Sequence, residues 1–228
     1  RCSRDWSSDV CSSDLTINMT DQAEVLPTHL EVCQIAFDSL LEIIGPEDLH
    51  AVLDGISLPV EIVKEDACVS SEPVQTAWTT LQSQLYSLFG TAGAAGIAIR
   101  TGEVIFKNFY RQYGTATFLD TRDFSMLPKP ARIRRGLEGL ASYQEKYVTG
   151  THVIIDHDAD NWYWKMDCDA GSSDCQTVQT LLATIMWGMV IEFITWTAGG
   201  KKYSVHEAGW QDGDLKQRVI VIRKKVLD

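Results

Sequence analysis

Cys168 and Cys175 form the sharpest candidate for chemistry in this chain, with six residues between them. Structural zinc sites pair cysteines about two to four residues apart and use four ligands. His152, His157 and His206 could complete such a set, but nothing in the spacing requires it. Three readings therefore stand: a structural feature, a redox-sensitive or ligand-gating pair, or part of a metal site.

Asp156-His157-Asp158-Ala159-Asp160 evokes a calcium loop, with Asp167 twelfth in the frame. The sixth position needs glycine and is Asn161, and the flanks are strand-like rather than helical. A solvated hairpin turn accounts for these acids better. His206-Glu207 reads as an exposed or paired position on a strand. Tyr110 and Tyr113 have no nucleophile pattern beside them, and no serine-elbow, Walker or zinc-protease signature occurs. The sequence offers no catalytic set and points to no particular cofactor.

Gly90-Thr91-Ala92-Gly93-Ala94-Ala95-Gly96 is rich in glycine, but a phosphate loop would need a following Lys-Ser/Thr. Close helix–helix packing through small residues is the expected use. Arg132, Arg134 and Arg135 form one basic spot, and Arg223, Lys224 and Lys225 another. Both read as solvated faces or strand ends rather than phosphate sites.

The remaining signal is aromatic and methionine density. Trp162, Trp164 and Met166 share one face of a strand. Met186, Trp187, Met189, Val190 and Phe193 lie on an apolar helix expected to pack on it. Core filling could explain this, and so could a wall for an aromatic or lipid-like guest. The candidate ligand-binding residues are Trp162, Trp164, Met166, Met186, Met189, Val190 and Phe193.

Elements must position these residues, and their periods are legible. Leu30, Cys33, Phe37, Leu40, Leu41 and Ile44 mark a helix over 27–45, which Gly45-Pro46 stops. Cys33 reads as a small core residue. A short helix follows to Leu53, then an irregular stretch over 57–71. A helix opens near Pro73 and ends at Gly90, and residues 97–113 favour helix. After Leu127-Pro128-Lys129-Pro130 another helix runs from about Ala131 to Tyr147. At Gly150 the period switches to two, predicting a hairpin turning at 158–161. Ser172-Ser173-Asp174 can cap the long apolar helix at 175–197. Glu192 within that helix argues for a buried core helix over a membrane span. Strands at 201–208 and 216–224 complete an antiparallel sheet of about four strands.

Residues 1–15 carry no usable period, and Asp5–Leu15 resembles translated sequencing-adapter read-through of the kind that contaminates metagenomic assemblies. Residues 1–18 are set apart as an artefactual or disordered segment, with Met19 the expected start and 19–228 a single domain. Its helical part would be 19–150, and the sheet with the long helix 151–228. The formal net charge is −11, and an acidic chain repels phosphate backbones, so nucleic-acid binding is disfavoured. Without an export signal a cytoplasmic location is expected, where disulfides are rare.

The layout resembles the V4R family, the 4-vinyl reductase or hydrocarbon-binding domain. The hairpin, Cys168 and Cys175, the long helix, and Gly199-Gly200-Lys201-Lys202-Tyr203-Ser204-Val205-His206-Glu207 followed by Gly213-Asp214 carry the likeness. Phe37-Asp38-Ser39-Leu40-Leu41-Glu42-Ile43-Ile44-Gly45 and Gly96-Ile97-Ala98-Ile99-Arg100-Thr101-Gly102 extend it upstream. The resemblance implies an α/β fold of the α+β type, with helices on an antiparallel sheet, similar to TRAPP subunits and haem-based nitric-oxide sensor domains. It also implies a binding or sensing module for a small apolar or aromatic ligand, its output running through a partner or a homodimer. The alternative is an accessory factor or reductase acting on a tetrapyrrole vinyl group, which would need an electron source. The chain departs from the family at 207–217, where a second cysteine pair is missing.

Overall fold

The computed structural model describes residues 27–53, 72–114, 117–147, 151–168, 175–212 and 215–227. The segment set apart at residues 1–18, the irregular stretch at 57–71, the cap at 172–174 and Gly213-Asp214 lie outside them.

Alternation builds the sheet. β1 (Thr151–His157) and β2 (Asn161–Cys168) form the expected hairpin. β3 (Tyr203–Asp212) and β4 (Leu215–Val226) run longer than the patterning suggested. The strands are antiparallel in the order β1-β2-β4-β3. Trp164 sits between Ile155 and Ile220, and Trp162 faces Ile222 across β4. Trp162, Trp164 and Met166 are all buried, so these alternate positions give β2 one apolar face. The turn is held by Asp158: its Oδ1 accepts the backbone N–H groups of Asp160 (2.8 Å) and Asn161 (2.7 Å). Lys165 on the opposite face reaches Asp156 at 2.7 Å.

The helices are α1 (His29–Leu53), α2 (Glu72–Tyr113), α3 (Arg122–Met126), α4 (Lys129–Tyr147) and α5 (Cys175–Thr197). α1 breaks at Gly45 (φ 79°) and α2 at Gly90 (φ 68°), where the sequence placed its helix ends. A 3-10 turn at Phe118–Asp120 and α3 go beyond the sequence reading, because these elements are too short to show a helical period. α4 begins earlier than expected, with Pro130 in its first turn where a missing N–H is harmless.

The tight helix crossing differs from the one expected. It lies at Gly102 of α2 and Gly188 of α5 rather than at Gly90–Gly96. A Cβ on Gly102 would fall 1.9 Å from the Ile185 carbonyl oxygen, and one on Gly188 1.9 Å from that of Ile99. Two backbones thus touch where only hydrogen fits. α4 lies across β1 and against α5, where Gly136 makes room for the Phe193 ring. Glu192 is paired with Lys107 of α2 at 3.4 Å, which accounts for an acid inside an apolar helix. Among the described residues no helix is long and apolar enough to cross a membrane.

Candidate functional site

α1 packs chiefly on α2, and faces α4 and α5 across a gap. From α1 the gap is walled by Val32, Cys33, Ile35 and Ala36, of which Cys33 and Ala36 are small. α2 supplies Trp78, Ile105 and Phe109, while α5 supplies Leu182, Ile185, Met186 and Met189. Tyr143, Gln144 and Tyr147 of α4 close the remaining side. The cavity measures about 80 Å³ and opens to solvent on one side. A dry apolar cavity of roughly 150 Å³ can hold benzene. At about half that volume, the space takes a guest of benzene size or larger only if a wall moves.

Aromatic contacts set the Tyr143 side of the cleft. Tyr143 lies edge-on to Phe109 at 4.6 Å and 4.4 Å from the Tyr147 ring. Tyr147 donates its hydroxyl to the Pro27 carbonyl at 2.5 Å, tying α4 to the start of α1. That start is a capping box: Thr28 Oγ1 accepts the Glu31 N–H, and the Glu31 carboxylate accepts the Thr28 N–H. Burial pushes the Tyr143 phenol and the Cys33 thiol above their ordinary pKa values. Both stay protonated near neutrality, so Cys33 is a poor nucleophile here.

Gln144 is the exception in an apolar lining. Its side chain is 4% exposed. The amide nitrogen contacts the Met166 sulfur at 3.5 Å, and Oε1 has no partner among the described residues. A buried carbonyl without a donor is unfavourable, and its place in the cleft wall marks where a guest could supply one. The sequence carried a clue: Ile133, Leu137, Leu140, Gln144 and Tyr147 form one helical stripe, and Gln144 is the amide in it.

The seven residues proposed from sequence divide. Met186 and Met189 line the cleft. Trp162, Trp164, Met166, Val190 and Phe193 are instead buried within the core between α4, α5 and the sheet. Trp164, Val190 and Phe193 show no exposure at all. The cavity thus lies on the α1 side of α5, away from the sheet-facing wall the sequence suggested. Period reports which residues are buried; it does not report where packing leaves a gap. Cys33, taken as core, lines the gap at intermediate exposure.

Cys168 ends β2 and Cys175 begins α5, and their side chains lie outside the described ones. His152 sits on the surface with Nδ1 2.7 Å from Glu145, and His157 and His206 are exposed. Among the described residues no group of histidine, cysteine and carboxylate side chains is placed to hold a metal ion. Asp158 is a structural acid: hydrogen bonds from Tyr163 and two backbone N–H groups bring its carboxyl to about 2. Glu207 pairs with Arg218 at 2.5 Å across β3 and β4.

No protein-family model and no curated protein sequence matches the chain. Solved H-NOX structures share its fold. A T. Tengcongensis H-NOX variant has a TM-score of 0.55 at 11% identity, covering 89% of this chain and 100% of that one. An H-NOX protein studied for haem distortion has a TM-score of 0.55 at 11% identity, covering 87% and 96%. An oxygen-binding H-NOX domain related to soluble guanylate cyclases has a TM-score of 0.52 at 12% identity, covering 86% and 95%. The chain therefore has the α+β architecture of H-NOX domains, with a four-stranded antiparallel sheet and helices around it.

Proposed function

We propose that this chain is a binding or sensing module for a small apolar molecule, held in the cleft between α1, α2, α4 and α5. The carrying observation is a gap walled by apolar side chains and interrupted by one unpaired amide oxygen, that of Gln144. The likeness to H-NOX proteins, described as binding haem or oxygen, and the resemblance to the V4R family support a ligand-holding role.

Haem itself does not fit the described residues. The cavity is about 80 Å³, and no lysine or arginine lines it to receive propionates. Its thiol and one phenol are held protonated by burial, and the other phenol is committed to Pro27. The same volume argues against the alternative, a factor acting on a tetrapyrrole vinyl group.

A guest with one N–H or O–H donor on an apolar body matches both features. Indole and indene differ in that donor and little in shape. Thermal-shift and calorimetric titrations are expected to show indole binding about 2–10-fold more tightly, the worth of one net hydrogen bond. Gln144→Met should erase the preference while leaving indene binding in place. Ala36→Phe, which fills the gap, should abolish both without lowering the melting midpoint. If neither compound binds, and no apolar molecule co-purifies in native mass spectra, the reading fails.

A further inference from the structure

A second pocket, of about 420 Å³, opens where the end of α5 meets the 118–126 segment and the first turn of α4. It shares no lining residue with the apolar cleft. One wall is aromatic: Trp196 lies 4.7 Å from the Tyr110 ring and stacks on Phe124 at 6.2 Å. The rest is polar, and two of its groups are left over. Arg132 Nε is buried without an acceptor, and its guanidinium makes no ion pair among the described residues. Thr197 is 6% exposed, and its hydroxyl has no partner among the described residues.

The other basic side chains of this spot behave as a solvated face should. Arg134 and Arg135 both engage Glu138. Arg132 does not, because its place on α4 turns it toward the end of α5. Asp120, the acid of the pocket, accepts the Tyr110 hydroxyl at 3.2 Å rather than pairing with Arg132. Guanidinium is a donor with no acceptor capacity, and leaving its N–H buried and unbonded is unfavourable. An anion with a planar pair of oxygens satisfies it best. The aromatic wall adds a surface for a flat apolar body.

We propose that this pocket binds a small organic carboxylate, its anionic end on Arg132 and Thr197 and its body against Trp196. Titration calorimetry on the full chain would use benzoate, neutral benzamide and inorganic phosphate as probes. Benzoate should bind at least about tenfold more tightly than benzamide, the scale of a charge-assisted hydrogen bond. Arg132→Gln should weaken benzoate by a similar factor, and Thr197→Val by several-fold. Ala36→Phe, in the apolar cleft, should leave benzoate unchanged, so failure here is separable from failure of the cleft reading. The free Arg132→Gln protein should melt no lower than the parent, because that guanidinium has no ion-pair partner among the described residues to lose. Equal binding of benzamide, retention of benzoate by Arg132→Gln, phosphate binding as tight as benzoate, or no benzoate binding at millimolar concentration would each overturn the site. So would a large drop in the melting midpoint of Arg132→Gln.

Discussion

Gln144 is a polar side chain at a position where the α4 stripe calls for an apolar one. Its unpaired oxygen should lower stability by about 1–3 kcal/mol relative to a satisfied group. Gln144→Met keeps the length and removes the polar ends, so it should raise the denaturation midpoint of the ligand-free protein. A midpoint that falls would mean that the amide is satisfied after all, and that the polar mark on the cleft is illusory. Asp158 illustrates the opposite case, a polar group fully used. Its folded carboxyl lies at about 2, below the ordinary 3.8, because Tyr163 and two N–H groups favour the ionised form. A depressed folded pKa gives stability that is present above 3.8 and lost as pH falls toward 2. Asp158→Ala should therefore melt lower than the parent at neutral pH. The difference should close between pH 4 and pH 2, and a gap independent of pH would remove the charge from the account.

The crossing of α2 and α5 depends on two hydrogens. Gly102→Ala would drive a methyl into the Ile185 carbonyl, and that carbonyl is helix backbone that cannot swing aside. Overpacking of this kind typically costs about 1–3 kcal/mol, and backbone contact puts this site at the upper end or beyond. Urea denaturation of Gly102→Ala, with Gly96→Ala as control, is the measurement. No heavy atom lies within 4 Å of a Cβ at Gly96, so the control should be neutral or stabilising. Equal midpoints would mean that the helices are not locked there. At this scale the sequence was informative about period and poor about proximity. Leu137 and Leu140 of α4, Trp162 and Trp164 of β2, and the breaks at Gly45 and Gly90 all follow from spacing and backbone chemistry. The crossing at Gly102 does not, since a glycine inside a helical pattern looks alike whether it meets solvent or another backbone. The cleft was half legible for the same reason. Met186 and Met189 are apolar on a buried helix, and so are Val190 and Phe193, which are fully buried and do not line this cleft. Ala36 and Cys33 bound the gap by being small, and smallness on a helix gives no sign of a cavity.

Taken whole, the molecule joins a body built around the sheet to a helix, α1, that is seated chiefly on α2. The sheet, α4, α5 and the second half of α2 share a continuous core through Trp164, Phe193, Phe106 and Leu137. α1 rests on α2, with Asn108 donating to Ser39 at 3.2 Å, and its start is held by Tyr147. It has no comparable seat on α4 or α5, and the cleft lies in that gap. A guest filling the cleft would supply the missing contact. Binding to the folded state alone stabilises it by about 2.7 kcal/mol at a ligand concentration of about 100 times Kd. That stabilisation need not be uniform, because elements with few buried contacts open locally before the body unfolds. Amide exchange is therefore expected to slow most in α1 when indole is added, and least in β2 and β4, whose opening already requires disruption of the core. Ala36→Phe should give the α1 pattern without any ligand, since its ring occupies the same gap. Uniform slowing across the chain, or protection centred on β2, would place the guest against the sheet rather than beneath α1.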